Sequence, residues 1–217
     1  MHRRKVLQTI GLTLVVLLLA GCGGALAGPT ATSTPVPPTA TPTSVPTLNN
    51  KHVLLIIQEG FNESEYGRPR AMLEKKGAVV TVASSSLDVV KSYTGGKRVR
   101  PDVLLSDVRA ADYDAIVFVG GYPYEPDVPE MRRVAQETVA EGKLLAGICS
   151  GVITLAKAGV LEGKRVATLT YQPASTLEEA GAILTDTPVG RDGLIVTGNG
   201  PEASGQFGEA IVAALEE

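Results

Sequence analysis

Histidine is almost absent from this chain. His2 lies in a basic, leader-like start, and His52 opens the first strong apolar run. A Cys-His or Cys-His-Glu nucleophile and base is not expected within one folded subunit, because His52 begins a strand at the end of the sheet away from Cys149. Only a second subunit lending His52 supplies such a set. Cysteine is as scarce, with Cys22 and Cys149 alone. No cluster of His, Cys and carboxylates has zinc-ligand spacing, so no metal is expected. No P-loop is present, and no Gly-x-Gly-x-x-Gly follows a strand, so no cofactor is expected. Basic stripes are missing as well. The chain carries 20 Lys+Arg against 23 Asp+Glu, and loss of Arg3, Arg4 and Lys5 with a leader leaves 17 against 23, a net −6. That balance excludes nucleic acid as the expected partner.

The first long apolar stretch is too short to span a bilayer. Val6 to Ala20 is interrupted by Gln8 and Thr9, and a spanning helix needs about 20 apolar residues. A basic start, a short apolar run and the small residues Ala20-Gly21 read as a secretory signal over 1–21. The other reading, an uncleaved anchor, suffers from the same short length. Leu19-Ala20-Gly21-Cys22 resembles the bacterial lipobox, in which the cysteine is lipidated and becomes the new N-terminus. Each buried acyl CH₂ contributes ~0.8 kcal/mol, so a multiply acylated Cys22 holds a protein at a membrane surface. Residues 22–50 then form a linker. Thirteen of the nineteen residues in 29–47 are Pro or Thr, with no charge and no aromatic. Such a segment cannot bury a core and is expected to be an extended stalk. The expected location is the cell envelope, outside the cytoplasm. There a lone Cys149 thiol, without an internal disulfide partner, stands out.

One domain remains, 51–217, of ordinary size for a single core. Residues 52–57 (HVLLII) are a short continuous apolar run, the mark of a strand buried on both faces. A helix is expected up to Lys76, stopped by Gly77. Strands are expected at 78–83, 115–119 and 143–148, and helices at 129–141 and 150–158. The Gly-Gly, Pro and alternating Val/Arg of 93–108 suggest a small hairpin. Alternation of strands and helices predicts an α/β sandwich with a mainly parallel sheet flanked by helices. Ligands bind such sheets beyond the carboxyl ends of the strands. Glu59 to Glu65, Gly120-Gly121 and Cys149 all fall at those ends.

The chemistry centres on Gly147-Ile148-Cys149-Ser150-Gly151. Gly-x-Cys-x-Gly between a strand and a helix has the form of a nucleophile elbow with sulfur in place of oxygen. The helix that starts at Ser150 aims unpaired N–H groups at the sulfur, which favours a thiolate and is expected to lower the thiol pKa. Backbone N–H groups of Gly120, Gly121 and Ser150 are candidates to hold an oxyanion. Glu65 is the candidate acid partner, and Glu63 is its rival. Asn62-Glu-Ser-Glu65 also has capping-box form, with Asn62 as N-cap. A carboxyl touching a thiolate is expected to be partly protonated, and so able to donate to sulfur or carry substrate protons.

These residues resemble the ThiJ/PfpI superfamily, which includes the Parkinsonism-associated deglycase, the PfpI-type peptidases and the isonitrile hydratases. The likeness covers roughly 52–217. It rests on HVLLII, FNESEYGRPRAMLEKKGAVVTVAS, DYDAIVFVGG, LLAGICSGVITLAKAGVLEGKRVAT and DGLIVTGNGPEASGQFGEAIVAAL. It implies a three-layer flavodoxin-like fold, akin to class I glutamine amidotransferases, with Cys149 as the elbow cysteine, Glu65 as its glutamate and Gly120-Gly121 as the glycine pair. It also implies a homodimer. Two departures bear on activity. PfpI-type peptidases carry histidine directly after the cysteine, where this chain has Ser150. Other members place one after the next strand, where this chain reads Thr168-Leu169-Thr170-Tyr171. The expectation is therefore a cysteine-dependent enzyme on a small electrophilic carbonyl, with methylglyoxal as the substrate implied by resemblance. The alternatives are a thiol redox sensor or stress-protective module without turnover, and a peptidase or amidohydrolase using His52 across an interface.

Overall fold

The computed structural model describes residues 47–217. The expected signal over 1–21, Cys22 and most of the linker lie outside the described residues. Among these residues, eleven strands and five α-helices follow one another. In chain order the strands are β1 His52–Ile56, β2 Val79–Ser84, β3 Val90–Lys91, β4 Arg98–Val99, β5 Val103–Leu104, β6 Ala115–Phe118, β7 Leu144–Ile148, β8 Arg165–Ala167, β9 Ile183–Thr185, β10 Val189–Asp192 and β11 Ile195–Gly198. The helices are α1 Glu63–Lys75, α2 Pro129–Ala140, α3 Ser150–Lys157, α4 Ser175–Glu178 and α5 Ser204–Leu215.

A seven-stranded sheet runs in the order β10-β11-β7-β6-β1-β2-β5. Every pairing in it is parallel except β10 with β11. The apolar strands explain the layering. Side chains alternate across a strand, so Val53 and Leu55 join Leu73 of α1 and Phe207 and Ile211 of α5 on one face. Leu54 and Ile56 join Met131 and Val134 of α2 and Val152 and Leu155 of α3 on the other. Each such side chain stabilises the fold by about 1.5–3 kcal/mol when buried. Two-sided burial is why β1, β6 and β7 read as unbroken apolar runs.

Strand order turns the crossovers into a site. The chain goes from β1 to β2 on one side and returns to β6 on the other. A crevice opens where the order reverses, at the carboxyl ends. The segments after β1, β6 and β7 meet there.

The structure departs from the expected hairpin over 93–108. The antiparallel pair is β3 with β4, joined through Ser92–Lys97, and β5 leaves it to become a parallel edge strand on β2. Asp102 makes the difference. Its N–H donates to Val82 O and its carboxylate accepts from Val82 N, both at 2.8 Å, which fastens this segment to the main sheet. The packed core also reaches back past residue 51. Leu48 is fully buried among the α1 and α5 side chains, and its N–H donates to Lys76 O at 2.8 Å. The strands β8 to β11 have three or four residues each, too few for periodicity in the sequence to reveal them.

Candidate active site

Cys149 occupies the tight corner between β7 and α3 with φ 53° and ψ −127°. L-residues rarely adopt this conformation, which costs on the order of 1–3 kcal/mol. Neighbouring bonds hold it: Cys149 N–H donates to Gly198 O at 2.9 Å, and Val152 N–H donates to Cys149 O at 3.0 Å. Gly151 lets α3 approach the sheet, since a Cβ there would lie 2.2 Å from Phe118 O. The thiol is recessed rather than projecting. Cys149 is 8% exposed, yet it lines a cavity of about 550 Å³ that also reaches Glu65, Ser150 and Gly121.

Glu65 stands in the first turn of α1. Asn62 caps that helix as expected, its Oδ1 accepting from Ser64 N at 2.9 Å and Glu65 N at 3.3 Å. The reciprocal half of the capping box is not made. Asn62 N–H donates to Gly120 O at 2.9 Å, so the Glu65 carboxyl is free to turn inward. It is 1% exposed, and neither oxygen has a hydrogen-bond partner of ordinary geometry. The Cys149 thiol and the Gly120 N–H are nonetheless close enough to act on it. Gly120 supplies the room: a Cβ there would sit 2.6 Å from Glu65 Oε2 and 3.0 Å from Cys149 Cβ. Glu63 is not the cysteine's neighbour. Its carboxylate accepts from Ser92 Oγ at 2.6 Å and from Thr94 Oγ1. His52 starts β1 while Cys149 follows the end of β7, so the two lie beyond opposite ends of the parallel strands. Among the described residues, no group of His, Cys, Asp and Glu is arranged to hold a metal ion.

The candidate oxyanion donors are unequal. Gly121 N–H donates to Ser150 Oγ at 3.2 Å, and that hydroxyl donates to Gly121 O at 3.0 Å. Gly120 N–H faces Glu65, and Ser150 N–H acts on the sulfur.

A strained elbow cysteine beside a buried glutamate, at the switch point of a parallel sheet, is a distinctive arrangement. A model of the DJ-1/PfpI family matches residues 51–214. The chain belongs to the DJ-1/PfpI family. The glutathione-independent glyoxalase DJR-1.2 of Caenorhabditis elegans is 30% identical over 166 residues, spanning 76% of this chain and 88% of that protein. Deglycase TK1284 of Thermococcus kodakarensis is 32% identical over 158 residues, spanning 69% and 90%. The crystal structure of a ThiJ/PfpI domain protein from Brachyspira murdochii superposes with a TM-score of 0.73 at 31% identity, covering 77% of this chain and 96% of that one.

In this DJ-1/PfpI domain, burial dominates the electrostatics. It pushes the Glu65 carboxyl up to about 8, against the pull of the Cys149 thiol and the Gly120 N–H. Burial thus favours the neutral acid near pH 7. Burial first, and then a Glu65 carboxylate, push the Cys149 thiol up to about 12, while the Ser150 N–H and hydroxyl pull it down. The expected lowering by the helix mouth is real in direction but outweighed, because the sulfur is recessed beside a carboxyl. The two groups are not independent. While Glu65 holds its proton, its push on sulfur is absent, and the first proton lost belongs to the pair. Tyr93, Tyr122, Tyr171 and Gln172 also line the cavity. No pattern in the sequence marks them, since exposed tyrosines on loops carry no periodic signal.

Proposed function

We propose that this DJ-1/PfpI protein converts a small 2-oxoaldehyde to a 2-hydroxy acid through Cys149 and Glu65. One observation carries the reading: a buried Glu65 with both oxygens unpartnered lies beside the elbow thiol at the floor of an accessible cavity, where burial favours its neutral form. Relatives named as a glyoxalase and a deglycase support the substrate class.

The reactive form of the pair holds one proton between sulfur and carboxyl. Sulfur adds to the aldehyde carbon, an S–C bond forms, and the carbonyl π pair moves to oxygen. Glu65 protonates that oxygen and becomes a carboxylate. This carboxylate then takes the C1 proton and returns it to C2, while the hydroxyl proton passes between the two oxygens. The result is a thioester of the 2-hydroxy acid, which water cleaves to regenerate the thiol. Aldehyde plus water gives acid, with no outside oxidant. N–H groups of Ser150 and Gly121 stabilise the developing oxyanion. The Gly121 donor is released from its long bond to Ser150 Oγ when substrate oxygen arrives. Glu65 thus serves as the general acid and base that a histidine provides elsewhere.

Methylglyoxal turnover by wild type, Cys149→Ser and Glu65→Gln tests this. Loss of at least 100-fold in kcat/KM is expected for both variants. Wild-type-like turnover in either ends the reading. We further propose that Cys22 is lipidated and tethers the domain to the envelope membrane, on the strength of the Leu19-Ala20-Gly21-Cys22 pattern. Labelling with an alkynyl fatty acid, lost in Cys22→Ala, is the check.

A further inference from the structure

The cavity is too large for a three-carbon aldehyde. It holds about 550 Å³, whereas five heavy atoms fill roughly 150 Å³ at a water-like ~30 Å³ each. Its mouth is aromatic. Tyr93, Tyr122 and Tyr171 are 62%, 74% and 61% exposed, although each lines the cavity. Tyr93 and Tyr122 stand edge to face, with centroids 6.2 Å apart and planes at 83°. Exposing three large rings around one opening is costly in water unless something stacks there.

Charge narrows the class further. None of the ten lining residues is Lys, Arg or His. Glu202 stands at the rim, accepting from Tyr171 Oη at 3.2 Å, and its charge is felt by Glu65. An anionic substrate meets no counter-charge here and two carboxyl groups. Resting on the carbonyl chemistry proposed above, the geometry points to an uncharged aryl 2-oxoaldehyde as the preferred substrate class. Its carbonyl lies at Cys149 and its ring lies among Tyr93, Tyr122 and Tyr171. The tyrosines are then specificity-determining residues.

The test compares kcat/KM for phenylglyoxal, methylglyoxal and 4-carboxyphenylglyoxal in wild type, Tyr93→Ala, Tyr122→Ala and Tyr171→Ala. Intrinsic reactivity cancels when ratios are compared across variants. Each alanine is expected to lower the phenylglyoxal-to-methylglyoxal ratio about 3- to 10-fold, mainly through KM, as loss of one aromatic contact implies. The carboxylated compound is expected to be at least 10-fold poorer than phenylglyoxal in wild type. A second arm is independent of turnover. Tyrosine fluorescence of Cys149→Ser is titrated with 2-hydroxyacetophenone, and binding is expected to weaken with each tyrosine removed. Turnover of methylglyoxal with ratios indifferent to all three tyrosines overturns this inference and leaves the carbonyl reading intact. Absence of all turnover overturns the carbonyl reading and the substrate assignment with it, and saturable aryl binding that needs the tyrosines then upholds only their role in holding the ring. Neither turnover nor binding overturns both.

Discussion

Replacing Glu65 by Gln should change how stability depends on pH. In the folded protein burial raises this carboxyl from 4.5 to about 8. Between those values the native state holds a proton that the unfolded chain has lost. Stability contributed by the neutral, buried acid is therefore complete below pH 4.5 and is lost as pH rises toward 8. Each tenfold difference in proton affinity between the folded and unfolded states is worth about 1.4 kcal/mol, so from pH 5 to pH 8 the wild type loses on the order of 3 kcal/mol through this one group. The amide of Glu65→Gln has nearly the same shape and does not titrate. Any cost of burying it is the same at every pH. Urea unfolding of both proteins from pH 5 to 8 isolates the effect, because groups not coupled to Glu65 cancel in the difference and the coupled Cys149 thiol stays protonated over this range. With a slope of about 2 kcal/mol/M, the midpoint of the wild type should fall relative to the variant by roughly 1.5 M across the range. Parallel midpoints would refute the claim that Glu65 is held neutral by its surroundings.

Three other outcomes follow from the same geometry. In turnover assays kcat/KM should rise with pH and level off above about 8, as the Cys149–Glu65 pair loses its first proton; a flat profile from pH 6 to 9 would contradict that assignment. Gly151→Ala should destabilise the domain by about 2–3 kcal/mol in denaturant titrations, because its Cβ would collide with Phe118 O at 2.2 Å; a change under 0.5 kcal/mol would mean that α3 moves away freely. Leu48→Ala should cost about 2–4 kcal/mol in thermal or chemical unfolding, since the side chain is fully buried; a neutral result would place the edge of the cooperative unit after residue 51.

Some of this molecule is written locally. Apolar runs such as HVLLII and AIVFV are long and pure enough to announce strands buried on both faces, and the glycines around Cys149 announce the elbow before any fold is known. Asn62 announces its cap. Other features depend on distant partners. Glu63 and Glu65 are alike in sequence, and only the docking of the α1 start on the segment after β6, with Asn62 N–H bound to Gly120 O, sends one to the sulfur and the other to Ser92 and Thr94. The hairpin ends earlier than its sequence suggests because Asp102 pairs with Val82.

By itself, then, the sequence determined the parallel α/β architecture, the elbow cysteine and the lack of an in-chain histidine base, because periodicity, glycine spacing and composition are properties of the chain alone. Tertiary structure decided which carboxyl meets the thiol, that both groups are pushed toward their neutral forms, and that three tyrosines share one opening. Desolvation and close approach depend on what packs around a residue, and that packing is assembled from segments far apart in the chain.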